Sequence, residues 1–158
     1  MTDIDILHLG KNLDFFRKQF PNHSLEQFHK LEMYISKLYE NSIKEVRRLV
    51  NRGFKDNYKN IDYKEWFLFT TLMVPKIERF RGINTGKERL ELLLGFAIFI
   101  IITLLPIDLL TKQILITIVQ EFIPDIAEGL IYVSKNIHTI SSKLKKKFKN
   151  KCCKNNNN

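Results

Sequence analysis

The chain is poor in cysteine, glycine, proline and tryptophan, and each shortage closes off a class of function. Its two cysteines, Cys152 and Cys153, are adjacent. Adjacent thiols cannot staple a small loop-rich fold, so no disulfide framework exists and nothing points to an oxidising compartment. Six glycines in 158 residues leave no glycine-rich phosphate cradle. The Gly-x-Ser-x-Gly nucleophile elbow, His-Glu-x-x-His and Cys-x-x-Cys are missing too. The four histidines, His8, His23, His29 and His138, are scattered. His29 lies three residues from both Glu26 and Glu32, a spacing that can hold a metal but far more often marks a solvated helix face. We therefore expect a non-enzymatic protein with no catalytic residues, cofactor or metal.

Charge is unevenly spread. Residues 1–89 carry +5, residues 90–133 carry −4, and residues 134–158 carry eight lysines and no acid. Between Leu92 and Ile107 there is no charge, and Thr103 is the one polar side chain. Nineteen helical residues from Leu92 to Leu110 reach about 28 Å, close to the ~30 Å hydrocarbon core of a bilayer. The expectation is a membrane-embedded segment, the alternative a buried central helix of a bundle. Basic flanks around an apolar centre suit anionic cytoplasmic lipid. A nucleic-acid binder would also be basic but needs no such centre.

The N-terminus MTDIDILHLG places Asp3 and Asp5 where a secretory signal needs positive charge. Leu13, Phe15, Phe16 and Phe20 suggest a short helix ending before Pro21. Ser24 and Gln27 form a capping box. From Phe28 through Leu31, Ile35, Leu38, Ile43, Val46 and Val50 the apolar residues recur at steps of three and four, predicting one amphipathic helix over 24–52 that stops at Gly53. Its polar face is rich in Lys37, Lys44, Arg47 and Arg48. Arg47, Arg48 and Arg52 are candidates for binding lipid headgroups or a partner, although basic residues near a helix C-terminus are also favoured by the helix dipole. After a polar loop, Asp62 and Glu65 resemble a capping pair. Trp66 to Val74 is apolar nearly all round, which suits either the core of the N-terminal bundle or a helix at the membrane interface with Trp66 at headgroup level. Pro75 should kink or end that helix. Thr85 and Glu88 predict a helix start at Gly86.

Asp108 and Lys112 mark a turn. Beyond it, Gln113, Thr117, Gln120, Glu121, Asp125 and Glu128 share one face of a helix that is otherwise apolar. A central acid costs roughly 2.5–3.5 kcal/mol on insertion, against roughly 0.3–0.6 gained per large apolar residue. The stripe must therefore face another helix, a water-filled cavity or a surface. Rings of acids favour cations, so a homo-oligomeric pore is one reading of it. The structural alternative is a helix packed on the bundle with its acids in water. Lys143, Lys145, Lys146 and Lys147 belong to a tail expected to be solvated and disordered, and able to bind anionic headgroups. Cys152 and Cys153 there are candidates for S-acylation.

These observations predict an all-α protein in three parts: an N-terminal cytoplasmic helical domain (1–84), a hydrophobic, membrane-embedded helical hairpin (86–134) and a Lys-rich disordered tail (135–158). The basic flanks predict an integral membrane protein with both termini cytoplasmic. The favoured function is a membrane-anchored interaction or membrane-organising protein with a protein partner and anionic lipid, nucleic acid being disfavoured. The alternatives are an oligomeric pore using the acidic stripe, and a soluble helical adaptor or nucleic-acid binder.

Overall fold

In the computed structural model, residues 9–55, 63–83 and 85–152 are described, with side chains over 14–52, 64–83 and 85–130. Six helices follow one another: α1 (Leu9–Lys18), α2 (Leu25–Glu40), α3 (Ile43–Lys55), α4 (Tyr63–Glu78), α5 (Gly86–Thr103) and α6 (Leu109–Cys152). Among the described residues there is no strand, and the protein is all-α.

Local chemistry sets the starts of α2 and α5. Ser24 accepts the Gln27 backbone N–H at 3.2 Å while its own N–H donates to the Gln27 side chain at 2.8 Å. Thr85 and Glu88 repeat this reciprocal cap at α5, at 3.1 and 3.2 Å. Each cap satisfies two N–H groups that a helix start would leave without partners. The tight turn after α4 uses Gly82 at φ +89°, where an added Cβ would lie 2.6 Å from the Tyr34 hydroxyl.

Helix α5 is the centre of the packing. Every residue from Gly95 to Ile102 is buried, and α1, α2, α4 and α6 all pack against it. Helices α2 and α5 advance in the same direction: His23 meets Glu91, Leu31 and Ile35 meet Gly95, and Tyr39 meets Phe99. Gly95 permits this approach, since a Cβ there would sit 3.3 Å from both the Leu31 and Ile35 methyl ends. Helix α4 contributes an aromatic column, in which Trp66 contacts Phe69, Phe69 contacts Phe96, and Phe96 stacks on Phe99. Helix α6 returns along α5 and buries Leu115, Ile116, Val119, Ile123 and Ala127 in the same core.

Several expectations need correction. The predicted 24–52 helix is two helices, broken at Asn41 and Ser42. The Asn41 N–H still bonds the Lys37 carbonyl, the Ser42 N–H bonds Tyr39, and the Ser42 carbonyl accepts the Val46 N–H. The two-residue turn leaves the apolar spacing almost in phase, so the stripe hides the break. Gly53 is no stop, because α3 continues to Lys55. Pro75 does not end its helix, because it lies inside α4, which runs on to Glu78. Of the two readings of Trp66 to Val74, the core reading holds at Trp66, which is 1% exposed. The apolar stretch 92–110 is not one helix: α5 ends at Thr103, and 104–108 form the turn into α6. Among the described residues no helix is long and apolar enough to cross a membrane. The tail is helical up to Cys152, not disordered. Lys, Leu, Ile and Ser offer no break there, and without Gly or Pro after Gly129 the helix propagates. Asp62 and Cys153 lie outside the described residues.

Candidate functional site

Three surfaces stand out. The first is the α5–α6 turn. Helix α5 leaves carbonyls open at its C-terminus. The Lys112 ammonium reaches back and donates to the Ile102 carbonyl at 2.6 Å. That position half-buries the amine, and desolvation holds its pKa below the usual lysine range. Asp108 begins α6, its carboxylate accepting the Thr111 N–H at 2.7 Å and its carbonyl the Lys112 N–H at 3.0 Å. The Thr111 backbone bond, then its side-chain bond, holds the Asp108 carboxyl below the usual aspartate range. Both charges of the turn are thus engaged at helix ends. What the turn presents outward is apolar: Leu109 is 59% exposed, Leu110 68% and Ile114 52%, beside an exposed Pro106.

The second surface is the outer face of α6. Gln113, Thr117, Gln120, Glu121, Asp125 and Glu128 are all exposed. The structure brings them together along one outward stripe, and no described ion pair involves its three acids. Thr117 donates to the Gln113 carbonyl at 3.0 Å. Among the described residues, nothing encloses the stripe as a channel.

The third is the outer face of α3. Lys44, Arg47, Arg48, Asn51 and Arg52 surround a shallow hollow of about 460 Å³. All five are exposed, while Val46 and Leu49 on the opposite side are buried and fix the helix. Arg47 lies within electrostatic reach of Tyr39, whose phenol is nevertheless pushed up by burial. The one acid of α3, Glu45, is turned to α4, where it pairs with Lys76 at 2.8 Å. That hydrogen bond, against a smaller effect of burial, lowers the Glu45 pKa. Lys76 also donates to the Asn41 carbonyl at 2.7 Å, tying α4 to the α2–α3 turn.

A wider groove of about 980 Å³ lies between α2, the start of α5 and Gln120 of α6. Its floor includes Leu31 and Ile98, and its rim carries charges of both signs, among them His23 and Glu91 at 3.5 Å. His29 stands 3.6 Å from Glu32, and among the described residues no group of three or more potential ligands could hold a metal. Lys143, Lys145, Lys146 and Lys147 fall in the last turns of α6, with Cys152 its final residue. Their side chains, like Cys153, lie outside the described set.

Sequence reasoning picked out the cations of α3 and the acidic stripe. It missed the exposed apolar turn, whose signal was the pair Leu109-Leu110 continuing a hydrophobic run beyond Pro106. The chain matches no protein-family model, no curated protein and no solved structure.

Proposed function

We propose that this is a non-enzymatic interaction protein that attaches to anionic membranes, with the α5–α6 turn seated in the interface and the helical body held outside it. The observation that supports this reading is the turn itself. Leu109, Leu110 and Ile114 are exposed together, while the two nearby charges, Asp108 and Lys112, are engaged in capping helix ends. An apolar projection that carries no outward cation suits the boundary between headgroups and acyl chains. The positive charge of the chain, +9 at pH 7, adds attraction to anionic lipid.

This reading differs from a spanning hairpin. Helix α5 has 18 residues and begins with Gly-Lys-Glu-Arg, and its apolar part is already covered by protein. A partner protein remains part of the proposal, and the outward stripe of α6 is the surface offered to it. The test is sedimentation with phosphatidylcholine/phosphatidylserine vesicles. Replacing Leu109 and Leu110 with Ser should leave the fold intact, because both are exposed. It should weaken vesicle binding about thirtyfold, since burying a Leu side chain is worth roughly 1.5–3 kcal/mol and both are already partly covered. Unchanged binding by the double variant would defeat the proposal.

A further inference from the structure

We infer that the outward face of α6 pairs antiparallel with the same face of a second copy of this chain. The inference rests on the α6 stripe being the partner surface proposed above, and not on membrane attachment. Helix α6 is continuous from Leu109 to Cys152. Glu121, Asp125 and Glu128 are exposed on it, and no described ion pair involves them. Asp125 lies four residues from Glu121 and three from Glu128, and no Lys or Arg lies three or four residues from any of the three. Like charges at these spacings are neighbours on a helix and work against it. Steps of three and four carry the same face from Glu128 through Tyr132, Lys135 and Thr139 to Lys143, Lys146 and Lys149,. No acid follows Glu128. One face of one helix is thus acidic over 121–128 and basic over 143–149. A parallel pair would set like charge against like. An antiparallel pair with its two-fold axis beside Lys135 sets Glu121, Asp125 and Glu128 of each copy opposite Lys149, Lys146 and Lys143 of the other. Complementary charge of this kind fixes direction and register. Lys135 alone meets its own copy at the axis. The opposite side of α6, with Val119 and Ile123, is buried in the body, which leaves this face open to a partner. The contact would span residues 121–149, about 42 Å of a helix about 10–12 Å across. That is the small end of specific interfaces, so the pairing is weak and sensitive to salt.

Sedimentation velocity of the full-length protein over a concentration series, at low and high salt, measures the pairing. The parent should form dimers at low salt that separate at high salt. Glu121→Lys with Asp125→Lys and Glu128→Lys should weaken the dimer about a hundredfold. That is ~3 kcal/mol, as for six exposed ion pairs at about 0.5 kcal/mol each. Lys143→Glu with Lys146→Glu and Lys149→Glu should do the same. An equimolar mixture of the two reversed chains should form a heterodimer, because one face is then basic at both ends and the other acidic. Lys135→Gln should tighten the parent dimer by removing the like pair at the axis. Circular dichroism verifies that each variant keeps its helices. A parent that stays monomeric at low salt, a dimer unmoved by either reversal, or reversed chains that do not pair when mixed would overturn the inference. The Leu109→Ser, Leu110→Ser variant separates it from membrane attachment. That variant should dimerise like the parent whatever its vesicle binding; a monomeric variant would place the contact at the turn and overturn the pairing.

Discussion

Replacing Gly95 reads out whether α5 is enclosed by protein, and the sign of the effect decides. In a helix facing solvent or lipid, glycine is the poorest ordinary choice, and Ala gains up to about 1 kcal/mol by restricting the unfolded chain. Leu would gain nearly as much. At Gly95, however, an added Cβ meets the methyl ends of Leu31 and Ile35 at 3.3 Å. Those ends can retreat by a few tenths of an ångström, so Gly95→Ala should fall within about 1 kcal/mol of the parent. Gly95→Leu drives three further carbons into the α2–α5 seam. Overpacking of this kind typically costs 1–3 kcal/mol, a large part of the roughly 5–15 kcal/mol that holds a domain together. Urea unfolding followed by circular dichroism measures both. The account predicts a lower midpoint for Leu than for Ala, by about 2 kcal/mol after conversion with the urea slope. A Leu variant as stable as the Ala variant, or more stable than the parent, would refute the close approach of α2 and α5.

Three further outcomes follow from the same packing. Thr85→Ala removes half of the reciprocal cap of α5 and should cost ~1 kcal/mol in the same unfolding assay. The Glu45 carboxyl has a folded pKa below its unfolded value because Lys76 binds the charged form; its stabilisation is therefore present above the unfolded pKa of about 4.3 and is lost as pH falls through the folded value. Glu45→Gln should be less stable than the parent at neutral pH by at most about 1 kcal/mol, with the gap closing in acid unfolding curves as pH falls below the unfolded pKa. Trp66, the only tryptophan, is buried against Phe69; its native emission should be blue-shifted, move to the red on unfolding, and stay unchanged when vesicles are added.

What was legible in the sequence was local. The pairs Ser24–Gln27 and Thr85–Glu88 are set by residues three apart, and both caps are formed as their spacing implies. The all-helical class followed from apolar residues at steps of three and four. The break at Asn41–Ser42 was hidden because a two-residue turn hardly disturbs that spacing. The apolar run from Leu92 posed a deeper problem. Hydropathy records that a helix avoids water, not what covers it, and here α1, α2, α4 and α6 cover α5 with apolar side chains. The role of Lys112 was equally illegible, since its reach to Ile102 depends on the turn closing one helix back on another. The charge of the lysines in 143–151 suggests a disordered tail, although nothing in their sequence stops a helix. On α3, the cations are visible as a pattern, but the pairing of Glu45 with Lys76 depends on another helix.

The most direct test of the membrane-attachment account is a polarity-sensitive fluorophore at residue 110. It is introduced as Leu110→Cys after both native cysteines are replaced, and read with anionic vesicles containing lipids brominated at shallow or deep acyl positions. The account predicts a blue shift on vesicle addition and quenching by shallow bromines in preference to deep ones. An emission unaffected by vesicles would contradict attachment through the α5–α6 turn. Strongest quenching by the deep bromines would contradict a body held outside the bilayer.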